Sequence, residues 1–174
     1  MGCMQTKPEH TAATPQLGRY EIDTSSSTVR FRTRHLFGLG PVRGSFAIRS
    51  GTVDIAEPVA GSRIRAEVDA ASFRTGNPAR DTAVRSPRFL DAGTHPVMTF
   101  ASERTDGSTL TGTLTVRGVA RPVTLSIEQS AVAAGSFTAR ASTRIDRTEF
   151  GVTALRGLAG RYLDLTLEVR CLRK

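Results

Sequence analysis

Of the three histidines in the chain, His10 lies in a polar N-terminal stretch and His95 precedes Pro96, which leaves His35 alone on a patterned face. An imidazole there can hydrogen-bond a ligand oxygen or act as acid or base. A neighbouring carbonyl can equally satisfy it as a partly buried structural group, and that reading carries more weight. No His, Cys or acidic residue stands at metal-ligand spacing around it, so no metal site is expected. Arg80 and Asp81 form a second candidate pair: a ligand contact, or the commoner helix cap or structural ion pair.

Other chemistries drop out on residue type. Of 24 basic residues only Lys7 and Lys174 are lysines, one near each end, which removes phosphate loops built on Gly-Lys-Ser/Thr and Schiff-base catalysis in the body of the domain. No Gly-x-Ser-x-Gly elbow occurs. Gly38, Gly40 and Gly44 miss the dinucleotide spacing by one residue and lack its helix. Without a catalytic constellation, the expectation is a non-enzyme that needs no cofactor.

At 174 residues the chain has the size of one domain, and its 39% hydrophobic and 23% charged residues are ordinary globular usage. The formal charge of +8 and pI near 10.9 permit anionic partners without requiring one. Residues 1–19 are polar, contain Pro8, Pro15 and Gly18, and have no apolar leader core, so a disordered tail on a cytoplasmic protein is expected. Gly2, Cys3 and Thr6 fit the short N-myristoylation pattern, and Cys3 with Cys171 leaves one disulfide conceivable.

The elements that must position these groups have period two. Val29, Phe31, Thr33 and His35 alternate with Arg30, Arg32 and Arg34, and Leu110, Gly112, Leu114 and Val116 alternate with four threonines. Ile64, Ala66 and Val68 repeat the pattern, as do Leu163, Leu165, Leu167, Val169 and Cys171 near the C-terminus. Turns at Ser50-Gly51, Asp106-Gly107, Arg117-Gly118 and Gly135-Ser136 separate the runs. Residues 72–91, with Pro78 and the Arg80-Asp81 pair, read as a loop and short helix. The fold predicted is all-β: one antiparallel barrel of about eight strands, which closure frees of exposed edges. Small inward residues (Ala66, Gly112, Ala139, Ala141) leave room inside for one small ligand.

Several blocks in order over residues 20–172 resemble the YceI-like family of polyisoprenoid-binding, lipocalin-like barrels. Ile22-Asp23 with Ser27, Val29, Phe31 and His35 resembles its opening strand, followed by Val42, Gly44 and Phe46. Asp69, Ser72, Thr75-Gly76-Asn77, Arg80-Asp81, Arg85-Ser86, Phe89 and Asp91 resemble its most distinctive segment. His95-Pro96, Thr99-Phe100, Gly112 to Val119, Arg121-Pro122-Val123, then Ile145, Arg147, Phe150 and Gly151 complete the set. The chain departs from the pattern at Tyr20, usually Trp, in losing a Pro and a His between Asp23 and Ser27, and at Ala83, where a second His is expected.

The resemblance implies an extended barrel around an apolar channel that carries or stores an isoprenoid-type amphiphile, a polyprenyl quinone or polyprenyl phosphate. On this reading the ligand contacts are Phe31, His35, Phe46, Arg80, Asp81, Phe89, Phe100, Leu114 and Phe150, and the residue pattern alone does not separate the Phe rings that line the channel from those that pack the core. The partners are the lipid and, transiently, an acidic membrane surface; a homodimer stays open. One rival is an isomerase or cyclase using His35. A lesser one is a basic barrel binding nucleic acid, which the lack of aromatics interleaved with exposed Arg disfavours.

Overall fold

The computed structural model describes residues 14–35, 40–155 and 158–174. Ten strands form one antiparallel sheet: β1 (Gly18–Ile22), β2 (Thr28–His35), β3 (Gly40–Phe46), β4 (Ile48–Ile55), β5 (Arg63–Asp69), β6 (Val97–Thr105), β7 (Thr109–Val116), β8 (Val119–Ala133), β9 (Ser136–Asp146) and β10 (Tyr162–Arg173). The order is β1-β4-β5-β6-β7-β8-β9-β10-β2-β3, and a further β1–β10 pairing closes eight of them into a ring. The all-β barrel is therefore present. β1 begins at Gly18, and Arg173 Nη2 donates to Leu17 O, so the ordered pairing reaches slightly ahead of Tyr20. The rest of the expected tail, residues 1–13, lies outside the described residues.

Ten strands occupy eight positions because two long strands are broken. β1 and β2 both pair with β10, at its end and its beginning respectively. At the break, Ser27 Oγ accepts from Arg170 N at 2.9 Å, so a hydroxyl serves a backbone donor that has lost its ladder partner. β3 and β4 part at Ala47, whose N–H donates to Ser72 Oγ at 2.7 Å and whose carbonyl accepts from Asp69 N at 3.0 Å. β4 pairs with β5 whereas β3 pairs with β2, and the split is bridged at Ser45–Arg74.

The segment predicted as a loop and short helix fills this split. Asn77 caps helix α1 (Pro78–Arg85) by accepting from Arg80 N, and Pro78 sits where a missing N–H costs nothing. Asp81 turns its carboxylate back to Thr75, accepting from its N–H at 2.9 Å and its hydroxyl at 2.6 Å. Burial alone would raise the Asp81 carboxyl, but the Thr75 bonds and the Arg85 and Arg80 charges outweigh it and hold the pKa below its usual value. Arg117 and Gly118, both at positive φ, form the two-residue turn between β7 and β8, and Arg117 Nη1 reaches Phe89 O at 3.1 Å.

Candidate functional site

The inward rows of this ring do not meet. They enclose a cavity of about 660 Å³ running the length of the barrel, within the range of a pocket for one small organic ligand. At one end it is bordered by Thr14, Pro15, Ser62 and Thr105; at the other by the α1 face carrying Arg80, Ala83 and Val84, and by Arg147 and Phe150. The side chains of Phe31, Phe46, Phe89, Phe100, Leu114 and Phe150 all border it.

Four of the lining hydroxyls are engaged with the backbone. Thr33 donates to Tyr162 O at 2.7 Å, Thr105 to Thr109 O at 2.7 Å and Thr143 to Thr124 O at 2.8 Å, while Ser62 Oγ accepts from Ala56 N at 3.0 Å. Groups paired in this way present little polarity to a ligand, so the lumen accepts hydrocarbon at low cost. No carboxylate borders it among the described residues. Cys171 lines the wall too, fully buried, and burial pushes its thiol up to about 12.

The charged lining groups sit at the α1 end. Arg147, in the turn after β9, donates Nε to Gly160 O at 2.7 Å, Nη1 to Val152 O at 2.8 Å and Nη2 to Ala159 O at 3.3 Å. Its guanidinium also stands 5.8 Å from the centre of the Phe89 ring. Arg80 is looser: half-buried, with Nη1 at 3.4 Å from Thr75 Oγ1. Asp81 does not border the lumen; of its two expected roles, the geometry assigns the structural one. His35 ends β2, but its side chain lies outside the described residues.

Sequence reasoning missed two contributors. Phe73 was hidden inside the expected loop, yet it stacks on Phe31 at 5.1 Å and meets Phe46 at 5.5 Å. Arg147 appeared only as a motif residue, because its carbonyl partners lie 5 to 13 residues away along an irregular stretch. Among the described residues, no group of three His, Cys, Asp or Glu side chains could hold a metal ion.

Comparison with known proteins agrees with this architecture. The family description "YceI-like domain" matches residues 20–171. A UPF0312 protein of Vibrio parahaemolyticus is 30% identical, covering 91% of this chain and 89% of the relative, and one of Yersinia enterocolitica is 31% identical, covering 94% and 91%. Among solved structures, Burkholderia cenocepacia BcnA superposes with a TM-score of 0.74 at 23% identity, covering 86% of this chain and 98% of BcnA. A domain from Saccharophagus degradans, described as polyisoprenoid-binding and implicated in plant cell wall breakdown, superposes with a TM-score of 0.71 at 15% identity, covering 91% and 100%.

Proposed function

The chain belongs to the YceI-like family, and from that premise we propose that it binds and carries, or stores, one isoprenoid-type lipid with its tail along the barrel lumen. The observation that carries the reading is the cavity itself: about 660 Å³, bordered by five of the expected aromatic side chains and Leu114, with the hydroxyls of Thr33, Ser62, Thr105 and Thr143 engaged by the backbone. The relative described as polyisoprenoid-binding supports the chemical class.

Magnitudes favour a long tail. Burying about fifteen tail carbons gains on the order of 12 kcal/mol at roughly 0.8 kcal/mol each. Association costs roughly 4–15 kcal/mol. A short chain is therefore held weakly, and each further isoprene unit tightens binding until the lumen is full. Arg80, which borders the lumen with one long hydrogen bond to Thr75 and its charge near Asp81, meets the polar head at the α1 end, a quinone oxygen or a phosphate.

Mass spectrometry of an organic extract of the purified protein tests this, together with displacement of a fluorescent fatty probe. An isoprenoid lipid near one per chain is expected. Ala139→Trp with Ala141→Trp, which fill the lumen from β9, should abolish probe uptake while the barrel still folds. Recovery of no lipid together with no probe displacement overturns the reading.

A further inference from the structure

Beside the α1 end, the outer wall carries an arrangement that folding does not favour. Arg32 on β2 and Arg43 on β3 are register partners, and both are exposed. Like charges set directly opposite on a ladder destabilise it. Arg34 continues the row toward the barrel end, and the Ser45–Arg74 bridge brings exposed Arg74 to the other edge of β3. The neighbouring acids are engaged elsewhere: Asp164, opposite Arg32 on β10, is held by Arg144 at 2.9 Å, and Glu168 stands 3.6 Å from Arg30. Among the described residues, no carboxylate lies within ion-pair distance of Arg32, Arg43 or Arg74.

The same end exposes hydrocarbon. Leu155 and Leu158 are 39% and 44% exposed and also line the lumen, so its apolar surface continues to the outside. Tyr162, 47% exposed, lies between the guanidinium groups of Arg144 and Arg161 at 5.5 and 5.3 Å. This chain segment is pressed onto the basic strand. Gly160 approaches so closely that a Cβ there would lie 1.9 Å from Thr33 Oγ1 and 2.3 Å from Arg34 O. Basic and apolar features thus adjoin at one mouth.

We propose that this mouth docks on a bilayer surface bearing anionic lipid. Arg32, Arg34, Arg43 and Arg74 lie over the phosphates, and Leu155 and Leu158 enter the headgroup layer, so the lumen opens toward the membrane. The proposal rests on the reading that the lumen holds a lipid tail, and it supplies that lipid's route of entry and exit. Each arginine near an anionic surface raises partitioning roughly fivefold, and salt screens the effect. A nucleic acid would use the charges and leave the leucines in water, so the paired features favour a membrane.

The test is co-sedimentation of the full chain with phosphatidylcholine vesicles, with and without phosphatidylglycerol, at low and high salt. Binding is expected on the anionic vesicles alone, weakened by salt. It should fall at least tenfold in Arg32→Gln/Arg43→Gln, with a circular dichroism spectrum like the parent's and unchanged luminal uptake of a fatty probe. Leu158→Asp should weaken vesicle binding further. Equal binding to neutral vesicles, or parental binding by the double variant, overturns the proposal. Tighter binding to a short DNA duplex than to the vesicles, lost in the same double variant, assigns the face to nucleic acid and also overturns it. Because luminal uptake is read without vesicles, failure of the docking surface and failure of the lipid-binding reading are told apart.

Discussion

Phe31 and Gly44 are register partners on neighbouring strands, and the glycine lets the phenyl ring lie flat against the barrel wall. A Cβ at position 44 would stand 2.4 Å from Phe31 Cζ and 2.5 Å from Arg74 O. Gly112 seats Phe100 in the same way, with a Cβ 2.7 Å from its Cζ and 2.4 Å from Ala101 O. These two glycines keep bulky rings out of the bore. The lumen is hollow although aromatic residues line it.

Gly44→Ala should therefore cost about 1–3 kcal/mol, the usual penalty of overpacking. The ring cannot retreat outward, and the Arg74 carbonyl blocks a shift of the strand. Urea unfolding should show a lower midpoint, and the probe assay a smaller capacity as Phe31 is driven into the bore. Phe31→Leu in the same chain should restore much of both. Gly44→Ala with parental stability and parental uptake contradicts the account.

Arg147 ties Val152 to Ala159 and Gly160 through three carbonyl acceptors. Arg147→Met keeps most of the stem but strands those oxygens, and about 2–4 kcal/mol should be lost. Arg147→Lys should recover only part of it, because an ammonium cannot form a planar fork. Denaturant unfolding gives the magnitude. Faster hydrogen exchange at Leu158 and Ala159, whose N–H groups bond to Leu155 O, locates the loosened segment.

Acid sensitivity follows from the depressed carboxyls. Asp106, accepting from the backbone of Thr109 and Ser108 and from the Ser108 hydroxyl, is held down to about 2. Asp81 is lowered by its Thr75 bonds despite its burial. A carboxyl whose folded value lies below its unfolded one stabilises at higher pH, and that stability is lost as pH falls through the folded value. For Asp106 the loss spans 3.8 down to about 2. Asp106→Asn should lower stability at neutral pH and flatten the decline over this window. An unchanged decline in both Asp106→Asn and Asp81→Asn refutes the assignment.

Cys171 gives an opposite sign. Its thiol is raised from 9.0 to about 12 by burial, so the folded state holds the proton that the unfolded chain releases. Its contribution is present below the ordinary thiol value and disappears as pH climbs through the folded one. In a Cys3→Ser background, a charged thiol reagent at mildly alkaline pH should leave the native protein unlabelled and modify it fully once unfolded. Rapid labelling of the native state shows that the wall at Cys171 is open.

Particular residues show how far the sequence could be read. The row Leu110, Gly112, Leu114, Val116 is visible in the chain because side chains on a strand alternate; Leu110, Leu114 and Val116 border the cavity, and Phe100 covers Gly112. Phe31, Phe46, Phe89, Phe100 and Phe150 were legible as apolar or motif positions, but alternation does not separate a ring that lines the channel from one that packs the core; the structure puts all five on the cavity wall. The breaks at Ser27 and Ala47 were not. Ser27 meets a backbone group 143 residues away, and Ala47 is held by Ser72 and Asp69 from the segment that plugs the split. Asp81 looked equally able to face a ligand or a loop, and only the position of Thr75 decides between them.

By itself, the order of residues determined which side chains share a face, since a two-residue period follows from strand geometry and needs no partner. It also determined that charge would stand outside and hydrocarbon inside. Whether the inner faces touch or enclose space depends on how many strands close the ring, on their stagger, and on where a glycine lets a ring lie flat. Those relations join residues far apart in the chain, so the hollow bore and its arginine-bearing mouth were decided only when the barrel closed.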